Sequence, residues 1–142
     1  MVKKEMKSSL MKKIEYIEIL AKRKTHLSYP PDEVMIKFVK LYKEKMDVRM
    51  HVIIGLDVAK HINLSPNDKM RVFMSKKDSR QIRLEKSKNG HGFKVNAIIS
   101  SEKEIRAMEM QYKWPEKSPS KEEMSIKIVQ HEISDGGINF TW

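Results

Sequence analysis

Residues 48–87 read VRMHVIIGLDVAKHINLSPNDKMRVFMSKKDSRQIRLEKS. Val48, Met50, Val52 and Ile54 recur at every second position up to Gly55, the period that gathers side chains on one face of a strand. LDVAKHINL follows with the spacing of a short helix, and Ser65-Pro66-Asn67-Asp68 breaks it. Met70, Val72 and Met74 form a second alternating run, Lys76-Lys77-Asp78-Ser79 a charged turn, and Ile82 and Leu84 a third run. Strand, short helix, strand, tight turn and strand in so short a span expose more apolar surface than they can bury among themselves. The unit is therefore expected to need a partner for its core.

This order resembles the swapped-hairpin DNA-binding module of the AbrB and MazE family of transition-state regulators and antitoxins. In that family a strand ends in an Ile-Pro-x-Glu-Leu-Arg-like turn, followed by Leu-Gly-Ile and then Gly-Asp or Lys-Asp at the next strand. Here Ile54-Gly55-Leu56-Asp57-Val58-Ala59-Lys60 stands in the turn, His61-Ile62-Asn63-Leu64 follows, and Asn67-Asp68 opens the strand. The family's proline is Gly55 in this chain and its glycine is Asn63. The resemblance implies an α+β, mostly β fold in which two chains interleave into one AbrB-like barrel. Residues 1–46 then form an N-terminal helical extension, 47–88 the swapped-hairpin module, and 89–142 C-terminal antiparallel hairpins packed on it.

The family's DNA-contacting basic residues lie on the first strand, in the loop before it and on the short helix. The matching positions hold Lys43 and Lys45 in the connector, Arg49 and His51 on a strand face, and Lys60 on the helix, with Ala59 at a neighbouring arginine position. His51 replaces what is commonly an arginine, which makes its contact pH-dependent. The same five residues could instead form a solvated rim around a dimer core. Asp57, where the family has a glutamate, is expected to cap the short helix. Gly55 is expected to ease the backbone from strand into helix.

Lysine and arginine number 29 against 19 aspartate and glutamate, a net charge of +10 that favours polyanionic partners, nucleic acid first. A lysine-rich surface that serves only solubility is the competing explanation. A hydrophobic content of 39% suffices for a core, and no apolar run is long enough for a transmembrane helix. The basic start, MVKKEMKSSLMKK, has no apolar stretch behind it, so no secretory signal is expected. The absence of cysteine excludes disulfides and cysteine-based zinc sites and fits a reducing cytoplasm.

Residues 1–24 carry Leu10, Ile14, Ile17, Leu20 and Ala21 at helical spacing, an amphipathic helix expected to pack on the body or on a second subunit. Pro31-Asp32-Glu33 is helix-start chemistry, and Met35, Phe38, Val39, Tyr42 and Met46 continue at helical spacing. A helix is expected there, although the β-favouring content of residues 34–42 also fits a strand. Beyond the hub, Asn89-Gly90-His91-Gly92 looks like a hairpin connection. Phe93, Val95, Ala97 and Ile99 alternate, as do Met108, Met110, Tyr112 and Trp114. Ile126, Ile128 and Gln130 share a face, and Ser134-Asp135-Gly136-Gly137 turns the chain into Ile138–Trp142. Asp-Gly between alternating runs is a strong hairpin signal, so the C-terminal half reads as two antiparallel hairpins. Tyr112, Trp114, Phe140 and Trp142 could form a stacking platform for single strands, but their alternation with polar residues favours the core.

The five histidines lack metal-ligand spacing, no phosphate-binding glycine loop is present, and Ser100-x-x-Lys103 is too short a pattern to carry catalysis. No enzyme, metal, cofactor or membrane partner is expected. These features point to a small, cytoplasmic, homodimeric protein that binds duplex DNA and regulates transcription. Loosely, the layout also looks like short proteins of prophages and bacteriophages. The alternative role is a phage or mobile-element interaction module that binds and inhibits a host protein, or an antitoxin.

Overall fold

The computed structural model describes residues 29–42, 46–115 and 122–142. These form nine strands: β1 (Val34–Tyr42), β2 (Met46–Gly55), β3 (Lys69–Met74), β4 (Gln81–Lys86), β5 (Phe93–Lys94), β6 (Asn96–Ile99), β7 (Ile105–Lys113), β8 (Lys127–Ser134) and β9 (Gly137–Thr141). The helix α1 (Leu56–His61) joins β2 to β3. The fold is mostly β, and the hub has the order read from its alternation: β2, α1, β3, tight turn, β4.

All nine strands belong to one sheet in the order β5-β3-β4-β9-β8-β1-β2-β7-β6, and each pairing is antiparallel. The two edge strands are separated in the chain by Val95 alone. The segment 93–99 therefore pairs with β3 through its first residues and with β7 through its last, and the sheet curls almost completely into a barrel. Val95 is the pivot. Its N–H donates to the Asp68 carbonyl at 2.8 Å, its carbonyl accepts from Asn67 N–H at 2.8 Å, and its side chain is fully buried.

The inward phase of the strands supplies the core: Val34, Ile36 and Phe38 from β1, Val48 to Ile54 from β2, Met70, Ile82, Leu84, Met108, Met110, Val129, Ile138 and Phe140. One end is closed by α1, whose Val58 and Ala59, with Ile62 and Leu64 after it, join that core. Its first turn is satisfied by the Pro31 carbonyl, which accepts from Asp57 N–H at 2.8 Å and Val58 N–H at 3.2 Å. Asp57 makes no side-chain cap, so the expected capping role passes to this backbone strap. The helix ends with Leu64 N–H donating to Ala59 O and Asn63 N–H to Lys60 O, with Asn63 at φ 54°. That is a Schellman stop, and it explains why asparagine can stand where the resembled family has glycine. The opposite end is filled by aromatic rings: Trp114 lies 5.3 Å from Phe38 and 5.6 Å from Trp142, and Phe140 stacks on Trp142 at 6.0 Å.

Several expectations are corrected. Residues 34–42 form a strand, not a helix. Alternating Val34, Ile36 and Phe38 find a long partner in β2, whose register runs from Val34↔Ile54 to Tyr42↔Met46. β1, β7, β8 and β9 of the same chain cover the hub's inner face, so its core does not by itself call for two interleaved chains. The Asn89–Gly92 turn does not form a hairpin with β4. It carries the chain past β3, and β5 pairs on the far side of that strand. On β8 the inward residues are Val129 and Ile133, while Ile128 is 52% exposed. Isoleucines and valine occupy both phases there, and the register from the Asp135-Gly136 turn, which pairs Ile133 with Ile138, decides between them. The two C-terminal hairpins stand as expected, with Asp135 at φ 48° and Gly136 at φ 72° in the second. The helix expected over residues 1–24 lies outside the described residues.

Gly55 has an ordinary φ of −61°, so its role is close approach and not conformational freedom. A Cβ there would stand 2.4 Å from both the Pro30 and Pro31 carbonyl oxygens. Gly55→Ala is expected to destabilise the fold by about 1–3 kcal/mol through overpacking against that strap. Urea unfolding measures it, and an unchanged midpoint would show that the strap does not hold α1 in place.

Candidate nucleic-acid interface

The five basic residues singled out in the sequence do not converge. Arg49 and His51 occupy the outer face of β2, as their phase requires. Both are engaged by β7: Arg49 Nε donates to Gln111 Oε1 at 3.0 Å, and His51 Nδ1 lies 3.2 Å from Glu109 Oε2. Lys37 on β1 pairs across from His51, so the patch gathers Lys37, Arg49 and His51 around one buffered carboxylate. The hydrogen bond from His51 holds the Glu109 carboxyl below the usual carboxylate range; partial burial opposes this, and the positive charge of His51 and Lys37 adds to it. Lys60 is exposed on α1, beyond the Gly55 end of β2 and roughly 20 Å along the strand from Arg49. Ala59, where the resembled family has a second arginine, is 2% exposed and faces the core. Lys43 and Lys45 lie outside the described residues.

A second cationic face was missed from sequence. On β3 the residues out of phase with Met70 and Val72 are Lys69, Arg71 and Phe73, and they point outward. Lys69 stands directly opposite Lys94 of β5. Arg71 lies over the Phe73 ring, 4.8 Å from its centroid, and the exposed Lys76 and Lys77 continue the same line into the β3–β4 turn. The phase of Lys69, Arg71 and Phe73 was legible in the hub alternation. The Lys69–Lys94 juxtaposition was not, because it requires the chain leaving β4 to cross past β3 and pair β5 on its far edge.

The neighbouring arginines have structural tasks. Arg83 on β4 bonds Glu85 at 2.7 Å, Asn139 at 3.1 Å and both the hydroxyl and carbonyl of Ser134, at 3.1 and 3.0 Å. Its guanidinium lies against Gly137, where a Cβ would stand 2.7 Å from the nearest nitrogen, and so pins the β8–β9 turn. Arg80 pairs with Glu123. Beside Arg83 an open depression of about 280 Å³ is lined by Phe73, Ser75, Gln81 and Asn139, among others.

The four C-terminal aromatics are not a platform. Tyr112, Trp114 and Phe140 are buried, Trp142 packs against the same core, and burial pushes the Tyr112 hydroxyl well up while it reaches Met50 Sδ at 3.2 Å. Ser100 of the Ser-x-x-Lys pattern accepts from Glu102 and Glu104 N–H at 3.2 Å, the chemistry of a turn. Among the described residues no three His, Asp or Glu side chains group as metal ligands would, and no helix is long and apolar enough to cross a membrane.

No protein-family model, curated protein or solved structure matches the chain.

The Glu109 carboxyl, lowered in the fold, stabilises the barrel above the ordinary carboxylate range, and that contribution is lost as pH falls through its lowered value. Glu109→Gln is therefore expected to be less stable than the parent at neutral pH, with the gap closing in acid. Thermal unfolding across the acid range checks this; a gap independent of pH would mean the His51 contact contributes nothing through charge.

Proposed function

We propose that this chain is a small nucleic-acid-binding protein, with DNA as the first candidate, that contacts phosphates through the outer face of β3 and β5 and the β3–β4 turn. The observation that carries this reading is the cross-strand Lys69–Lys94 pair with Arg71 beside it. Like charges directly opposite on a sheet are unfavourable in the free protein. A polyanion relieves that repulsion and releases its own counterions on binding. The patch on β2 is the weaker candidate, since Arg49 and His51 are tied to Gln111 and Glu109.

Binding of this kind positions the polymer more than it reads sequence. Arg49, Arg80 and Arg83 are each committed to protein partners, which leaves lysines as point charges for most contacts. A regulatory role, as the AbrB resemblance implies, would then operate through a cationic face that a single chain already completes.

Anisotropy titrations at several salt concentrations test the assignment. Lys69→Ala with Lys94→Ala is expected to flatten the slope of log K on log salt by roughly one unit per lysine. Arg49→Ala with Lys60→Ala should change it far less. Equal losses from both pairs, or a larger loss from the second, would move the interface to β2 and α1.

A further inference from the structure

We propose that the depression beside Phe73 seats an unpaired nucleobase, so that the polymer taken by this face is single-stranded. The inference rests on the nucleic-acid reading above and adds to it a base site and a strand state.

Phe73 is an aromatic ring placed where the phase of β3 otherwise puts Lys69 and Arg71, and it is 38% exposed. The core gains little from a ring on that side of the sheet, but a base gains a π-face to stack on, whatever its identity. Arg71 lies over one face of the ring, 4.8 Å from its centroid, so a base stacks on the other face with a positive charge close by for the phosphate of the same nucleotide. Lys69 and Lys94 continue the charge in one direction along β3, and Lys76 and Lys77 in the other. The aromatic thus sits within a cationic track.

The hollow itself is built from a cross-strand row. Phe73 pairs with Arg83, and Arg83 with Asn139, so the ring forms one wall and Asn139 the other. Arg83 is clamped by Glu85, Ser134 and Asn139 and makes a rigid floor. At about 280 Å³ the space lies just below the roughly 300–1,000 Å³ of ligand sites, room for a single base and not for a dinucleotide. The Gln81 side-chain amide lines the hollow and has no partner among the described residues, leaving a donor and an acceptor for a base edge. Bases inside a duplex have both faces covered by their neighbours and cannot use such a seat; unpaired ones can.

Labelled oligothymidylate, oligouridylate and a duplex of similar length, titrated against the full chain at one low salt concentration, test the proposal. The single strands are expected to bind tighter than the duplex, and the comparison of the first two identifies the sugar preferred. Phe73→Ala should weaken single-strand binding roughly 5- to 100-fold while leaving duplex binding unchanged, and Phe73→Trp should retain it. Because Phe73 points outward, the urea midpoint of the alanine variant should match the parent; binding lost together with the midpoint would make Phe73 a folding residue and overturn the seat. Equal affinity for duplex and single strand, or no effect of Phe73→Ala, would also overturn it, and binding at low salt would leave the phosphate reading standing. Absence of binding to every polymer would remove both.

Discussion

The barrel depends on a single short segment serving as both edges of its sheet. Phe93 and Lys94 pair with Lys69 and Met70 at the start of β3, Asn96 to Ile99 pair with the Ile105–Glu109 half of β7, and buried Val95 joins them through two backbone hydrogen bonds to the Asn67–Asp68 turn. An open nine-stranded sheet would present two rows of unpaired backbone groups to solvent or to other chains. The continuous segment pairs with the first residues of β3 and of β7 and so shortens both rows. The approach to that segment is tight: Gly92, at φ 140°, passes so close to Met70 that a Cβ would stand 2.5 Å from its carbonyl oxygen. A glycine there meets both the backbone conformation and the spacing.

Closure also decides how charge is distributed. With the main apolar phase of the strands turned inward, the excess of lysine and arginine falls on the outer phase, beside a small second apolar cluster of Met35, Ile53 and Ala107, and its pairing partners determine what each cation does. On β2 the register brings Gln111 and Glu109 within reach of Arg49 and His51, and the charges are taken up internally. On β3 the register sets Arg71 opposite Glu85, a carboxylate already bonded by Arg83, and sets Lys69 opposite a second lysine. The same composition thus yields one face whose cations are taken up internally and another in which only Arg71 faces a carboxylate while Lys69 and Lys94 face each other, and the proposed binding face follows from strand order more than from the number of basic residues.

Much of this was legible in the sequence. The alternation of Val48 to Ile54, Met70 to Met74 and Ile82 to Leu84 located three strands, and Asp135-Gly136 located a hairpin with the left-handed residues it requires. Residues 34–42 were ambiguous because Met35, Phe38 and Tyr42 fit a helical stripe while Val34, Ile36 and Phe38 fit a strand; the nine-residue ladder with β2 settles a choice that local periodicity could not. The hub was rightly read as unable to enclose its own core. The completing surface, however, comes from strands tens of residues away in the same chain, a fact about long-range pairing that no local pattern encodes. Phe73 was overlooked for a related reason: its phase marked it as outward, but an outward ring acquires meaning only with Arg71, Gln81 and the clamped Arg83 around it.

The self-completed barrel is tested most directly by following unfolding as a function of protein concentration. If one 16.7 kDa chain supplies its whole core, the urea midpoint stays constant over a hundredfold range of dilution and the folded species sediments with the mass of one chain at the lowest concentration. A midpoint that climbs with concentration, together with an unfolded chain at high dilution, would mean that a second copy completes the hub and would contradict the single-chain closure on which the placement of both faces rests.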